Sequence, residues 1–350
     1  MRLSRKQAIF LSIITGLILF IFLCRWQQSV AEWYMQNIYP ALASVLSFIS
    51  SKIPFSLFDI FITLYVIAFI VSIILLMLCK IKFKKWLKIL LYSIAVIFVW
   101  FYMAWGISYF RKDFYARTDT PKADFDSTNF KYFLTDYIEE LNASYIPINR
   151  VDYKDIDQSI ESSYQKLQNI LRIPYPCGHR TVKQMIYQKW VTKSGVSGYF
   201  GPFFNEVHVN RYSLPFEQPN IIAHEKAHQL GVSSEAECNL YAYIVCTLSD
   251  KGTVRYSGYF EALGYILSNI RKLLSDEFLV WYNKIRPEII EDYKASYGHW
   301  NAAINPQVFA IQNKVYDTYL KNNKIKTGVA NYSEMVALLV SWHNNQRRIK

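Results

Sequence analysis

Three long apolar runs dominate the first third of the chain. They cover residues 8–24, 57–79 and 87–110. A run of about 17 to 25 apolar residues is long enough to cross a bilayer as an α-helix. The pattern therefore predicts three N-terminal transmembrane α-helices, which form a membrane domain over residues 1–110.

The first run could also be a secretory signal peptide, because basic residues precede it. No small-residue cleavage site follows Cys24, and the next residues, Arg25-Trp26-Gln27-Gln28, are typical of a membrane interface. We therefore expect this helix to be retained.

Positive charge is concentrated beside the apolar runs. The first 110 residues hold ten Lys and Arg but only two acids, and so carry +8 of the net charge of +12. Basic flanks favour the cytoplasmic side, which predicts a cytoplasmic N-terminus and a cytoplasmic cluster from Lys80 to Lys88. Three crossings then place the rest of the chain outside the cell membrane. We expect the lipid bilayer as a partner and no nucleic acid.

Two shorter segments connect these parts. Residues 29–51 have apolar residues at helical spacing, which predicts a helix at the outer interface or packed against the spans. Asp59 lies near the outer end of the second run, where a cap or interfacial role is expected rather than a proton path. The polar residues 111–127 predict a linker.

The remaining residues, 128–350, predict a mostly α, α+β domain with a small sheet. Residues 182–191 and 199–209 are rich in aromatic and β-branched side chains, as strands are. Helical patterns cover about 128–141, 155–171, 256–274, 276–285, 287–297, 306–321 and 333–342.

The strongest chemical signal is the pattern H-E-x-x-H at residues 224–228. On a helix, His224 and His228 lie one turn apart on one face and can bind a single Zn²⁺. Glu225, beside them, can take a proton from the attacking water. The apolar neighbours of the motif indicate a buried helix, so the pattern predicts a catalytic zinc site.

A third protein ligand is expected soon after the motif. Gly231 can end the first helix and Ser234 can cap a second one. We expect Glu235 to bind the metal, with Asn239 four residues later hydrogen-bonded to a ligand histidine. Glu237 is the alternative ligand, and both acids could simply favour the positive end of a helix.

The residues His224, Glu225, His228, Glu235 and Asn239 resemble the gluzincin branch of the zinc metallopeptidases. The wider strings GPFFNEVHVN, HEKAHQLGVSSEAECN and YLKNNKIKTGVANY resemble a bacterial membrane family known as domain of unknown function 3810. The first resemblance implies a zincin-like metallopeptidase domain over residues 128–350.

Zincins pair extended substrate with the edge strand that precedes the active helix. Residues 205–210 occupy the corresponding place here, which makes them a hypothetical substrate rail. His208 lies within this stretch and is expected to be an ordinary strand histidine, because it has no spaced partner.

The sequence thus predicts a membrane-anchored zinc peptidase that hydrolyses an unknown peptide or protein with Glu225 as general base. A second electrophile is also needed, for which Tyr256, Tyr332 and His299 are candidates. The alternative is a non-catalytic binding or scaffold protein with the same fold, but a structural metal site has no use for Glu225. A transporter fits poorly, because the spans offer no polar path.

Overall fold

A computed structural model describes residues 4–176 and 180–349, without the side chains of residues 332, 333, 348 and 349. The described part is mostly helical and contains one three-stranded sheet. Its first five helices are α1 Arg5–Trp26, α2 Gln28–Asn37, α3 Tyr39–Ser51, α4 Leu57–Met77 and α5 Phe83–Ala104.

The later elements are α6 Phe114–Thr118, α7 Ser127–Ser144, α8 Tyr153–Leu171, β1 Val182–Gln184, α9 Gln188–Lys193, β2 Gly198–Gly201, β3 Glu206–Val209, α10 Gln218–Gln229, α11 Glu235–Thr247, α12 Gly252–Leu273, α13 Phe278–Tyr282, α14 Pro287–Ala303, α15 Pro306–Asn322 and α16 Met335–Ile349. Short 3₁₀ helices cover Gly106–Phe110, Ser275–Glu277 and Gly328–Glu334.

Helices α1, α4 and α5 are long and apolar enough to span a membrane. The third of these helices, α5, was predicted at residues 87–110. It begins earlier, at Phe83, and ends earlier, at Ala104. The chain turns at Gly106, where an added Cβ would lie 2.6 Å from the ring of Phe101. Residues 106–110, which were predicted to continue the membrane helix, are instead buried in protein. Hydropathy alone does not distinguish a residue buried in protein from one in contact with lipid.

The segment between the first two spans forms two helices instead of one. Helix α2 ends at Asn37, and Pro40 lies in the first turn of α3. Proline cannot donate a backbone hydrogen bond, so the chain bends at this point. Helix α3 is packed into the molecule, where the hydroxyl of buried Tyr39 donates to the carbonyl of Gln229 (2.7 Å).

The N-terminus of α4 is attached to the sheet. The buried carboxylate of Glu206 accepts hydrogen bonds from the backbone N–H groups of Leu57 (3.2 Å) and Phe58 (2.9 Å) and also pairs with Lys183. A carboxylate at this position satisfies free N–H groups and interacts favourably with the helix dipole. Asp59 accepts from the hydroxyl of Tyr199, and Ser56 caps the helix. Asp59 therefore has an anchoring role.

The predicted linker, residues 111–127, is packed against other elements. The guanidinium of Arg111 donates to the carbonyl of Gly231 (2.9 Å) and to the carboxylate of Glu32 (2.6 Å). Phe114, at the start of α6, is fully buried. A polar sequence of this kind indicates a linker only when its charged groups lack partners in the fold.

The sheet has the order β1-β3-β2, with β3 parallel to β1 and antiparallel to β2. The stretch 199–209 was predicted as one strand but forms two, which a turn with Asn205 at φ +55° connects. The stretch 182–191 is partly helical. Because β3 is the central strand, the predicted substrate rail at residues 205–210 is wrong. The sheet edge nearest the motif is β2.

Helix α10 carries the H-E-x-x-H motif at the centre of the domain. It packs against α8, α11, α12, β2 and β3, and every one of its residues except His224 is buried. Gly231 follows its end with φ +88°, which confirms the predicted C-cap. A Cβ on Gly231 would lie 2.6 Å from the side chain of Met35.

Gly231→Ala should therefore lower the free energy of unfolding by about 1–3 kcal/mol, through backbone strain and overpacking. Denaturant unfolding of the full-length chain in detergent measures this. Gly298→Ala is the control, because a Cβ at this position in α14 meets nothing within 4 Å and alanine favours a helix. Equal effects of both substitutions would contradict the packing described here.

Candidate metal centre

The side chains of His224 and His228 converge on one carboxylate oxygen. The Nε2 atoms of His224 and His228 lie 3.1 and 3.5 Å from Oε2 of Glu235. The two histidines are one turn apart on α10, and Glu235 is the first residue of α11. The structure thus brings together the three residues that the sequence predicted as ligands.

The opposite ring nitrogens of the two histidines face hydrogen-bond acceptors. Nδ1 of His224 lies 2.7 Å from Oδ1 of Asn239, and Nδ1 of His228 lies 2.9 Å from the carbonyl of Val232. An acceptor at Nδ1 fixes the proton there and leaves the lone pair on Nε2. Asn239 thus occupies the supporting position that the sequence predicted.

Glu235 is held as a charged group. Ser234 caps α11, and the hydroxyl of Tyr316 on α15 donates to the second carboxylate oxygen of Glu235. Burial opposes ionisation, but His228 and His224 outweigh it and hold the pKa of the Glu235 carboxyl well below its usual value. No sequence pattern pointed to Tyr316, which lies 81 residues after Glu235.

Glu237, the alternative ligand, points away from the histidines. Its carboxylate accepts from the backbone N–H of Phe114 (2.9 Å) and forms a buried salt bridge with Arg117. Two residues along a helix are about 200° apart around its axis, so Glu235 and Glu237 cannot both face α10. Glu237 instead attaches α11 to α6.

Cys238 is a further potential donor that the sequence analysis did not select. One ligand atom from each of His224, His228 and Cys238 lies within 4.8 Å of the others. The sulfur is 3.3 Å from Nδ1 of His228 and 3.5 Å from the carbonyl of Val232. Burial raises the pKa of the Cys238 thiol to about 12.

Glu225 lies against the edge strand of the sheet. An added Cβ on Gly198 of β2 would lie 2.7 Å from Oε1 of Glu225, so glycine is required there. Burial raises the pKa of the Glu225 carboxyl, while the two histidines act in the opposite direction.

Two cavities meet at this group of residues. The first, of about 530 Å³, extends toward α12 and α15, and the second, of about 510 Å³, extends toward α4 and α5. Both are lined by Val196, Gly198, His224, Glu225, Gln312 and Tyr316. The motif is therefore accessible to a ligand from two sides.

Two of the three candidate electrophiles, Tyr256 and His299, do not line these cavities. The hydroxyl of Tyr256 donates to Asp292 (2.6 Å) within the core. His299 stacks on Tyr212, with 4.0 Å between the ring centroids. The side chain of Tyr332 lies outside the described residues. Tyr256 and His299 were indistinguishable from structural residues in the sequence, because no spacing linked them to the motif.

His208 is a fully buried residue of β3 that stacks on Tyr199, with 4.5 Å between the ring centroids. Burial lowers the pKa of the imidazole to about 4, although Asp59 acts in the opposite direction. A buried, neutral ring that stacks on its neighbour agrees with the expected role of an ordinary strand histidine.

Lys226, within the motif, is 1% exposed and was not singled out from the sequence. Its ammonium group pairs with Asp157 (2.8 Å) and Glu161 of α8, and Glu161 also pairs with Arg180 (2.7 Å). A lysine ammonium group that is buried in the protein requires such partners. This network holds α8 against α10.

Glu161 makes the network sensitive to pH. Burial opposes ionisation of Glu161, but Lys226 and Arg180 outweigh it and lower the pKa of its carboxyl to about 2. The folded-state pKa is depressed, so the stabilisation is complete above about pH 5 and is lost as the pH falls toward 2.

Glu161→Gln should lower the free energy of unfolding at pH 7 by about 3–5 kcal/mol, because it leaves buried cations without their partner. The difference from the wild type should narrow between about pH 5 and 2, as urea unfolding at each pH would measure. Asp250→Asn is the control, since Asp250 pairs with Lys166 at the exposed surface and should contribute little. A difference that stays constant with pH would contradict the role of Glu161.

A comparison with protein families finds one match. The model of the family described as "Protein of unknown function (DUF3810)" matches residues 34–340. No curated protein and no solved structure matches the chain.

Proposed function

Because the chain belongs to the family described as Protein of unknown function (DUF3810), its activity has to be inferred from its own residues, and we propose that it is a membrane-anchored, zinc-dependent peptidase with a zincin-like domain. The metal ligands are His224, His228 and Glu235. Glu225 is the general base.

The distances between the donor atoms carry this proposal. Zinc binds nitrogen and oxygen ligands at about 2.0–2.2 Å, so two ligands of a tetrahedral site are about 3.3–3.6 Å apart. Oε2 of Glu235 lies 3.1 and 3.5 Å from the two histidine nitrogens. Each Nε2 atom can offer a lone pair to a metal, because the Nδ1 atom of the same ring faces an acceptor that can hold the ring proton. The residues fit a zinc ion with one remaining position.

Cys238 fits less well as a ligand. Its thiol is fully buried behind the His228 ring. The sulfur also contacts the Nδ1 side of the His228 ring, whereas Glu235 faces the Nε2 side. We therefore assign Cys238 to the packing behind the site.

A bound zinc ion supplies a Lewis acid for water and for the scissile carbonyl. Glu225 takes one proton from the attacking water, whose oxygen forms the new bond to the carbonyl carbon. The peptide C–N bond then breaks, and Glu225 returns the proton to the leaving amine. Tyr316 and Asn239 orient Glu235 and His224 during these steps.

The substrate backbone is placed along β2 in this proposal. Strand β2 is the edge of the sheet beside the motif, and it offers backbone groups to an extended peptide. Gly198 has no side chain that would separate this peptide from Glu225. The rail proposed for residues 205–210 is thus replaced by residues 198–201.

The membrane orientation follows from the charge distribution. Each of the three apolar helices has one end attached to the later part of the chain. Arg25 of α1 donates to the carbonyl of Asn322, and Glu206 binds the start of α4. Trp105, which follows α5, donates to the carbonyl of His228. The Lys80–Lys88 cluster lies at their opposite ends. With this cluster in the cytoplasm, the catalytic domain is extracytoplasmic.

The choice of metal ligand can be tested by substitution. Glu235→Gln should remove most of the zinc from the purified full-length chain, whereas Glu237→Gln should keep the zinc but unfold more easily, since it breaks the pair with Arg117. Metal analysis and thermal unfolding of both variants measure these effects. The opposite order of zinc contents would assign the third ligand to Glu237.

The role of Glu225 is tested by Glu225→Gln, which keeps the shape of the side chain but removes its basicity. The variant should retain zinc and lose about 10²–10⁴-fold in peptide hydrolysis. The assay is a peptide-library digest by the wild type, with and without chelator, followed by the variant on the best peptide. A zinc-loaded wild type that cleaves no peptide would favour the non-catalytic scaffold.

A further inference from the structure

The cavity toward α4 and α5 is mainly apolar. Apart from the motif and Glu235, its walls come from the ends of two apolar helices, the 3₁₀ helix that follows α5, the segment around β2, and α15. The aromatic and aliphatic lining includes Phe58, Ile62, Phe101, Trp105, Phe200 and Phe203. The cavity therefore offers a hydrophobic environment within reach of the catalytic group.

This cavity adjoins a helix suited to lipid. Ile62 lines the cavity in the second turn of α4, and it is 40% exposed. Helix α4 has a mean hydropathy of 3.0 over its most apolar part, which is not buried inside the protein. The apolar helix α4 therefore contributes both a surface suited to hydrocarbon and part of the cavity wall.

The other cavity has a different chemical character. Its lining includes Ser197, Asn220, Asn239, Glu261 and Asn313. A substrate that fills both cavities has an apolar portion on the membrane side of Glu225 and a polar portion on the other side.

The size of the apolar cavity limits what can enter. One turn of an α-helix with its side chains, about 10–12 Å wide and 5.4 Å long, already occupies roughly 420–610 Å³. The cavity of about 510 Å³ therefore cannot hold a membrane-spanning helix. It can hold a single flexible hydrocarbon chain.

We propose that the substrates are peptides with a covalently attached acyl chain that holds them in the membrane. This inference rests on the proposed peptidase function. Antiparallel pairing is slightly more stable than parallel pairing, so the peptide runs against β2. Its N-terminal part then lies at the end of β2 near Phe200 and Phe203, which places the acyl chain N-terminal to the cleaved bond.

The test uses full-length protein in lipid vesicles and the best peptide from the library digest. This peptide is compared without modification, with an N-terminal palmitoyl chain, with the same chain at a C-terminal lysine, and with an N-terminal run of leucines. The N-palmitoyl peptide should have the highest kcat/KM, at least about tenfold above the unmodified one. Equal rates, or a preference for the leucine or C-terminal form, would overturn the proposal.

Two variants test whether a preference for the N-palmitoyl peptide comes from binding in the cavity or only from enrichment of this peptide in the bilayer. Ile62→Trp narrows the cavity and should reduce the ratio of N-palmitoyl to unmodified cleavage. Ile70→Trp is the control, because Ile70 lies on the same helix, is 51% exposed and does not line the cavity. An unchanged ratio in Ile62→Trp would show that the preference comes from the bilayer alone.

A binding measurement distinguishes this inference from the peptidase proposal. The Glu225→Gln protein is crosslinked to a peptide with a photoreactive group in its palmitoyl chain. Crosslinks at residues 58–62 or 101–105 support the acyl site even if no peptide is cleaved, and crosslinks only elsewhere contradict it. Absence of cleavage together with these crosslinks would overturn the peptidase function alone.

Discussion

The fold depends on the enclosure of one polar helix. Helix α10 has protein on all sides, so each of its charged side chains requires a specific partner. Lys226 finds its partners on α8, the two histidines find Glu235 on α11, and Glu225 lies against β2. These contacts connect α10 to α8, α11 and β2 in addition to the apolar packing.

The enclosure also explains why the membrane helices are part of the same structure. The C-terminal end of α10 is covered by residues from the first 110 of the chain, which include the three apolar helices. The carbonyl of His228 accepts from Trp105, and the carbonyl of Gln229 accepts from Tyr39. Carbonyls at the end of a helix lack partners within it, and here indole and phenol groups supply them. The membrane part thus completes the helix that carries the motif.

Local signals in the sequence predicted much of this arrangement. The spacing of His224 and His228, the glycine at 231 and the cap at Ser234 predicted the two histidines on one helix and Glu235 at the start of the next. The ends of the third span, the central position of β3 and the role of Tyr316 could not be predicted. Each depends on contacts between distant residues, and apolar residues 104–110 have the same pattern whether lipid or protein covers them.

The attachment of α4 to the sheet has a geometric consequence. Glu206 binds the start of this helix, and Tyr199 of the neighbouring strand β2 binds Asp59 within the same first turn. These two contacts hold β2 close to the start of α4. Under the proposed function, a substrate anchored in the lipid would reach Glu225 only after it had extended from the membrane surface to β2. The position of cleavage would then be set by distance from the membrane as much as by side-chain identity.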